Sequence, residues 1–135
     1  MGLGSATPAY GIVNLSGTTD ASGDATVTSA KKIYGELVAV FIDGTNLTGG
    51  ANLTVKQVFE GINGALLVNN ADVGTAASNE LYPRMPAQDA AGTAVTYDGT
   101  NEIYISPPIA GTLQAIISAG GNAVAFTCHA LVKTG

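Results

Sequence analysis

The sequence predicts an all-β protein, a single-domain β-sandwich of the jelly-roll type preceded by a flexible N-terminal arm. Short apolar runs are interrupted by Gly, Asn or Asp turn signals about every ten residues, which is the spacing of a sandwich or jelly roll. The chain has 135 residues, a length that suits one domain with its own core. We therefore divide it into an extended arm, residues 1–9, and a sandwich domain, residues 10–135.

Three β-prone runs occupy the N-terminal third. Residues 10–15 and 25–29 are predicted short strands, and the Gly-, Thr- and Asp-rich residues 17–24 predict the turn between them. Residues 33–42 form the strongest run. Apolar residues fill both alternating sets of positions there, which indicates a central strand that is buried on both faces.

The middle of the chain is less distinct. Residues 54–59 have apolar positions that fit the spacing of a strand and also that of a helix. Gly61 would cost such a helix about 1 kcal/mol relative to alanine. We therefore predict a strand, with a short helix as the alternative. Residues 65–68 follow as a strand and residues 69–79 as a polar loop.

Prolines and glycines divide the C-terminal half. Pro83 and Pro86 make residues 80–88 an edge or irregular segment, because proline cannot donate to a β-ladder. Residues 112–118 and 123–132 are both strand-like and flank a short Gly-Gly-Asn connection. They predict an antiparallel hairpin.

The composition indicates assembly. Charged residues make up 11% of the chain, against about 25% in an ordinary soluble domain. Such a surface suits permanent contact with neighbours, because buried charge is costly and obligate interfaces are comparatively apolar. A poorly charged monomer is the alternative.

The charge balance and hydropathy argue against two classes of partner. Five basic residues face ten acidic ones, for a net charge of −5, and no basic patch is present to neutralise phosphates, so we do not expect nucleic-acid binding. No apolar run reaches the roughly 18 residues of a membrane span. Cys128 is the only cysteine, which excludes an internal disulfide and fits folding in a reducing cytoplasm.

Few residues could carry chemistry. His129 is the only histidine, and consecutive strand residues point to opposite faces, so it cannot easily share a site with Cys128. Asp20, Ser22 and Asp24 have the spacing of a calcium loop that lacks its final glutamate, and we interpret them as a turn. We predict no catalytic residue, no bound cofactor and no metal, and hence a protein that is not an enzyme.

A family resemblance lies in the C-terminal half. It is carried by Leu81-Tyr82-Pro83-Arg84, by the segment GTAVTYDGT that begins at Gly92, and by the closing segment TLQAIISAGGNAVAFTCHALV. In these segments the chain resembles the head-decoration, or cement, proteins of tailed bacteriophages. The resemblance covers residues 80–132, with a weaker likeness in residues 33–59. It is a pattern of strands and turns and contains no catalytic signature.

The resemblance implies a role in the virion. It implies a cement subunit, made in the bacterial cytoplasm, that forms a homotrimer and binds the major capsid protein on the outer surface of the head. The candidate contact residues lie in the arm and in the irregular segment: Leu3, Pro8, Tyr10, Tyr82, Pro83, Arg84 and Met85. We expect Arg84 either to pair with an acidic group of a neighbour or to be solvated.

Two other functions fit the same fold, since a fold does not determine function. One is a structural part of a phage tail, baseplate or fibre. The other is a carbohydrate-binding β-sandwich module, for which the absence of tryptophan removes the usual stacking platform.

Overall fold

A computed structural model describes residues 9–76 and 79–134, and the predicted all-β class is confirmed within them. The arm prediction falls almost wholly outside the described residues. Eleven strands occur in the described chain, and its only helical element is a 3-10 turn at Gly74–Ala76. The strands are Tyr10–Asn14 (β1), Gly17–Thr18 (β2), Ala25–Thr28 (β3), Ile33–Asp43 (β4), Asn52–Phe59 (β5), Ile62–Asp72 (β6), Glu80–Leu81 (β7), Met85–Pro86 (β8), Tyr104–Ile105 (β9), Pro108–Ser118 (β10) and Ala125–Lys133 (β11).

β4 is the central strand, as the sequence predicted. One edge pairs antiparallel with β11, and the other pairs with the start of β10 and with β7. β11 in turn pairs with β1 and β2 on its far edge. These strands form the first layer of the sandwich.

β10 carries the chain into the second layer. Its first four residues, 108–111, pair with β4, whereas its later residues pair with β5 on one edge and β3 on the other. β6 then pairs with β5. The change occurs at Gly111, whose φ of 121° is closed to most side chains. A Cβ there would also collide with the carbonyl oxygen of Val58.

The strands of the two layers form one continuous hydrogen-bonded sheet, but the two layers pack against each other and bury their side chains in a single core. The fold is therefore a sandwich. Inward residues alternate along β10 and β11, as the period-two pattern requires. Fully or nearly fully buried members of this core include Leu37, Val40, Ile42, Leu53, Val55, Leu113, Ile117, Phe126, Cys128 and Val132.

The prediction that β4 is central and largely buried is confirmed, since Leu37, Ala39, Val40 and Ile42 are all buried. The pairing with β11 shifts register so that Leu37 faces Val132 and Ala39 faces Leu131, which leaves Val38 without a partner. Because of this bulge, the side chain that faces the core before it is Leu37, and those that face the core after it are Val40 and Ile42. The extra residue therefore accounts for part of the apolar run.

The prediction of a hairpin between β10 and β11 is wrong. The two strands do not pair with each other in the described chain, since β10 pairs with β3, β4 and β5 and β11 with β1, β2 and β4. The connection contains three residues with positive φ, Ala119, Gly121 and Ala123. It crosses from one layer to the other, and the Gly120 carbonyl accepts a hydrogen bond from Thr48 N at 3.1 Å.

The strand prediction for residues 54–59 is confirmed, and the helical alternative is not observed. Glu60 and Gly61 have φ of 49° and 80° and join β5 to β6 as a two-residue hairpin turn. The predicted polar loop begins later than expected, because β6 continues to Asp72. Residues 17–24 are a turn only in part, since Gly17–Thr18 pairs with β11.

Candidate interaction surface

The chain leaves the sandwich between β7 and β10, and we call this segment, residues 82–106, the excursion. Both of its ends attach to β4. On the entering side Leu81 pairs with Val40. On the leaving side Leu37 N donates to the carbonyl oxygen of Pro107 at 2.9 Å. Both ends of the excursion are therefore hydrogen-bonded to the central strand.

Arg84 binds β4 between these two attachments. Its Nη1 donates to the carbonyl oxygen of Val38 at 3.2 Å and to that of Pro83 at 2.6 Å. Pro83 itself is buried, as its position at the base of the excursion requires. Bonds between a charged donor and a carbonyl are stronger than neutral ones, so Arg84 helps to fix the entering strand to β4.

Three extended parts of the excursion are joined by a closed cycle of backbone hydrogen bonds. Ala87 N donates to Ile103 O at 2.8 Å, Ile103 N to Val95 O at 3.0 Å, and Val95 N to Ala87 O at 2.8 Å. β8 and β9 pair beside this cycle. Because each part bonds to both others, the excursion has a defined shape of its own.

Aspartates form the two turns of the excursion. Asp89 Oδ1 accepts backbone N–H groups two and four residues further on, at 2.8 and 3.0 Å. Asp98 Oδ1 accepts the backbone N–H groups of Asn101 at 2.6 Å and Thr100 at 2.9 Å. These bonds, that from Asn101 first, lower the pKa of Asp98. Both carboxylates thus act in turn formation.

Asp20 shows the same arrangement as Asp89. Its Oδ1 accepts from Ser22 N at 2.8 Å and from Asp24 N at 3.0 Å. The spacing that suggested a calcium loop is therefore that of a tight turn. Within residues 9–76 and 79–134 no three His, Cys, Asp or Glu side chains come together as a metal site.

The excursion presents a concentrated apolar surface. Five of the large apolar side chains exposed in the described chain lie on it: Tyr82, Tyr97, Ile103, Tyr104 and Ile105. Tyr97 is 70% exposed and Tyr104 is 59% exposed. A hydrogen bond to Glu102 raises the pKa of Tyr104. Exposed apolar side chains are characteristic of interaction sites, so the excursion is a candidate interaction surface.

A second surface lies at the edge of the first layer. Residues 11–14 of β1 and residues 29–34, which connect β3 to β4 and begin β4, line a groove of about 400 Å³ together with Val132 and Thr134. We call it the β1 groove. Ile12 is 73% exposed and Tyr34 is 61% exposed on its walls.

A third exposed apolar group lies on the β5–β6 hairpin. Phe59, Ile62 and Leu66 are exposed there, and Phe59 and Ile62 help to line a shallow hollow that extends to residues 108–110. An ion pair between Lys32 Nζ and Glu60 Oε1, 2.7 Å long and exposed, lies at the tip. Exposed pairs of this kind contribute little stability.

Cys128 and His129 point to opposite faces of β11. Cys128 is fully buried, and burial raises the pKa of its thiol to about 12. His129 lines a hollow on the outer face with Phe41, Asp43 and Glu80. Its Nδ1 is buried and has no hydrogen-bond partner among the described residues. The structure therefore does not bring the thiol and the imidazole together.

The predicted contact residues fall into separate places. Tyr10 is exposed on β1, whereas Tyr82 and Arg84 are exposed at the start of the excursion. The strands β11 and β4 lie between these two places in the sheet. Met85 is half-buried, and Pro83 is buried within the chain. Leu3 and Pro8 lie outside the described residues.

Sequence reasoning did not select several of the exposed apolar residues. Ile103 and Ile105 belong to a run that looked like an ordinary strand, and Ile12 and Tyr34 belong to strands whose edges cannot be located without the pairing. The sequence did contain one signal for this segment. Two prolines lie near each of its ends, Pro83 with Pro86 and Pro107 with Pro108, and prolines disfavour pairing in a sheet.

No helix in the described ranges has the length and apolarity needed to cross a bilayer. Comparison with known proteins finds no family model, no curated protein and no solved structure that matches this chain.

Proposed function

We propose that this chain is a non-catalytic structural subunit that decorates the outer surface of a tailed-phage head and stabilises the capsid lattice by binding the major capsid protein. The observation that supports this most strongly is the excursion. It places exposed tyrosine and isoleucine side chains on a hydrogen-bonded projection that is rooted on the central strand of the sandwich. The resemblance of residues 80–132 to cement proteins covers the same segment.

The geometry suits a clamp. A decoration subunit must resist forces that separate neighbouring capsid proteins, so its contact elements must be rigid and joined to its core. Both ends of the excursion bond to β4, through Leu81 on one side and Pro107 on the other. A force on the excursion is therefore transmitted to the central strand of the first layer.

The composition of the excursion favours an apolar contact. Arg84 is its only basic residue, and two of its three acidic residues, Asp89 and Asp98, are occupied in turns. An interface built from such a segment depends on buried apolar area more than on ion pairs, and salt therefore screens it weakly. Attachment as a homotrimer would multiply a modest affinity by about 10²–10⁴.

The test is co-sedimentation with expanded heads that lack this protein. Wild-type protein should sediment with the heads, and raising the salt concentration should weaken binding only slightly. Replacing both Tyr97→Ser and Tyr104→Ser should lower the bound fraction at least tenfold. Ile62→Ser, at a residue 68% exposed on the β5–β6 hairpin, is the matched control and should bind normally.

Two results would contradict the proposal. If wild-type protein fails to bind heads but binds tails or baseplates, the tail function replaces it. If the tyrosine variants bind heads as well as wild-type protein does, the excursion is not the contact element.

A carbohydrate-binding module is the second candidate, and the exposed tyrosines are the observation that favours it. Tyr97 and Tyr104 have the flat faces that stack on sugars, and Glu102 bonds to Tyr104. Saturable binding on a glycan array that is lost in Tyr97→Ser and Tyr104→Ser, with no binding to heads, would favour this function.

A further inference from the structure

The free edge of β1 can be identified from its pairing with β11. Leu15 N donates to Cys128 O at 2.8 Å, and Thr134 N donates to Ala9 O at 2.7 Å. In an antiparallel ladder the residues that exchange hydrogen bonds alternate with residues whose N–H and C=O groups point away. The backbone groups of Tyr10, Ile12 and Asn14 therefore point away from β11, to the free edge of β1. In the part of the chain that the structure describes, β1 pairs with β11 alone.

The β1 groove has the shape and chemistry to accept a strand. Near the free edge of β1 it presents the apolar or aromatic side chains of Ile12, Ile33 and Tyr34, and Lys31 and Lys32 also line it. A free edge next to an apolar groove is the arrangement to which an extended peptide adds as a further strand, with backbone bonds giving affinity and a side-chain pocket giving specificity. An unprotected edge of this kind is otherwise a site of uncontrolled association.

The eight residues that precede Ala9, MGLGSATP, suit the apolar part of this groove. They contain no charged side chain, two glycines and one large branched apolar residue, Leu3. Fully extended, eight residues span about 26 Å, against about 17 Å for a five-residue strand such as β1. The segment is therefore long enough to cover β1 and to bridge a gap between two molecules.

The same eight residues are poorly placed to cover β1 of their own chain. Ala9 is already bound to Thr134, so a return turn must lie within residues 1–8. A two-residue turn at Thr7-Pro8 would require positive φ either at Thr7, where a β-branched residue is strained, or at both residues, which proline excludes.

We propose that residues 1–8 of a second copy of this chain bind in the β1 groove as an additional strand, with Leu3 as the apolar anchor. This inference concerns self-assembly and does not depend on the surface that the assembly decorates. Each copy donates one arm and accepts one, so the contact closes a ring or a reciprocal pair.

Isotope-coded cross-linking tests this directly. Isotopically heavy Leu3→Cys subunits and light Ile12→Cys subunits are refolded as a mixture and treated with a short bis-maleimide. The proposal predicts heavy–light peptides that join residue 3 to residue 12. The matched control replaces the second variant with Ile62→Cys, which is 68% exposed against 73% for Ile12 and should give no such peptide.

Two further variants test the oligomer by light scattering. Deletion of residues 1–8 removes no residue of β1–β11 and should convert the oligomer to a monomer. Ile12→Pro removes only an N–H that points away from β11, so it should do the same while keeping the melting temperature within a few degrees.

Three results would overturn the inference. One is an oligomer that survives the deletion. Another is wild-type protein that is monomeric at all concentrations. The third is cross-linking that occurs only within a single chain carrying both Leu3→Cys and Ile12→Cys, which would show that each arm occupies its own groove.

Discussion

The guanidinium of Arg84 donates a hydrogen bond to the carbonyl oxygen of Val38, 3.2 Å away, and Val38 is the residue that the bulge in β4 leaves without a partner in β11. An irregularity in the central strand is thus tied to the base of the excursion. The bond lies between the two places where the excursion joins β4. The link connects the sandwich to its candidate contact surface.

Removing this link should loosen the base of the excursion. We expect Arg84→Ala to lower the free energy of unfolding by about 1 kcal/mol, because a partly exposed charged donor to a carbonyl is lost. Arg84→Lys should recover little, since an ammonium group lacks the planar fork of donors. Urea denaturation measures this. Equal stability of all three proteins would show that the bond contributes nothing.

Gly44 tests a close approach of two backbone segments. A Cβ at this position would collide with the carbonyl oxygen of Val73, whereas a Cβ at Gly49 meets nothing within 4 Å. We expect Gly44→Ala to destabilise the fold by more than about 2 kcal/mol and Gly49→Ala to change stability by less than about 0.5 kcal/mol. Thermal denaturation of the two variants is the measurement, and similar melting temperatures would contradict the packing described.

Thr19 tests the connection between the layers. Its buried hydroxyl donates to Gly121 O at 2.5 Å and accepts from Val124 N at 2.9 Å. Thr19→Val keeps the shape but leaves both groups unpaired, so we expect a loss of about 2 kcal/mol or more. Thr26→Val, at an exposed position on β3, is the control. Hydrogen exchange at Val124 should also accelerate in Thr19→Val; unchanged exchange there would argue against the bond.

Cys128 should make stability depend on alkaline pH. Burial raises the pKa of its thiol from 9.0 to about 12 in the folded protein. Above pH 9 the unfolded chain ionises first, so this contribution to stability is complete below that pH and declines as the pH rises toward 12. Relative to Cys128→Ala, wild-type protein should lose roughly 1.4 kcal/mol of unfolding free energy per pH unit in this window. Parallel pH profiles of the two proteins would contradict the burial of the thiol.

Local signals predicted the strands because alternation and turn residues act within a few positions. Residues 10–15 and 33–42 were placed within a residue of β1 and β4. The pairing of β10 could not be obtained in this way, since a hairpin and a crossing between layers both need two alternating strands and a glycine-rich connection. The bulge at Val38 could not be predicted either, because one extra residue in an alternating strand gives the same sequence pattern as a strand that is apolar on both faces.

The candidate surface was predicted only at its base. Prolines identify an irregular segment, so Tyr82 and Arg84 could be selected from the sequence. The cycle of bonds among Ala87, Val95 and Ile103 joins residues up to 16 positions apart in the chain, and it has no local signature. The exposure of Ile103 and Ile105 follows from that cycle and could not be foreseen.

The most direct test of the proposed function is electron cryomicroscopy of intact phage particles that contain this protein. We predict density for the sandwich on the outer face of the head, with the excursion and its tyrosines directed at the major capsid protein. Density confined to the tail or baseplate would contradict a role in head decoration.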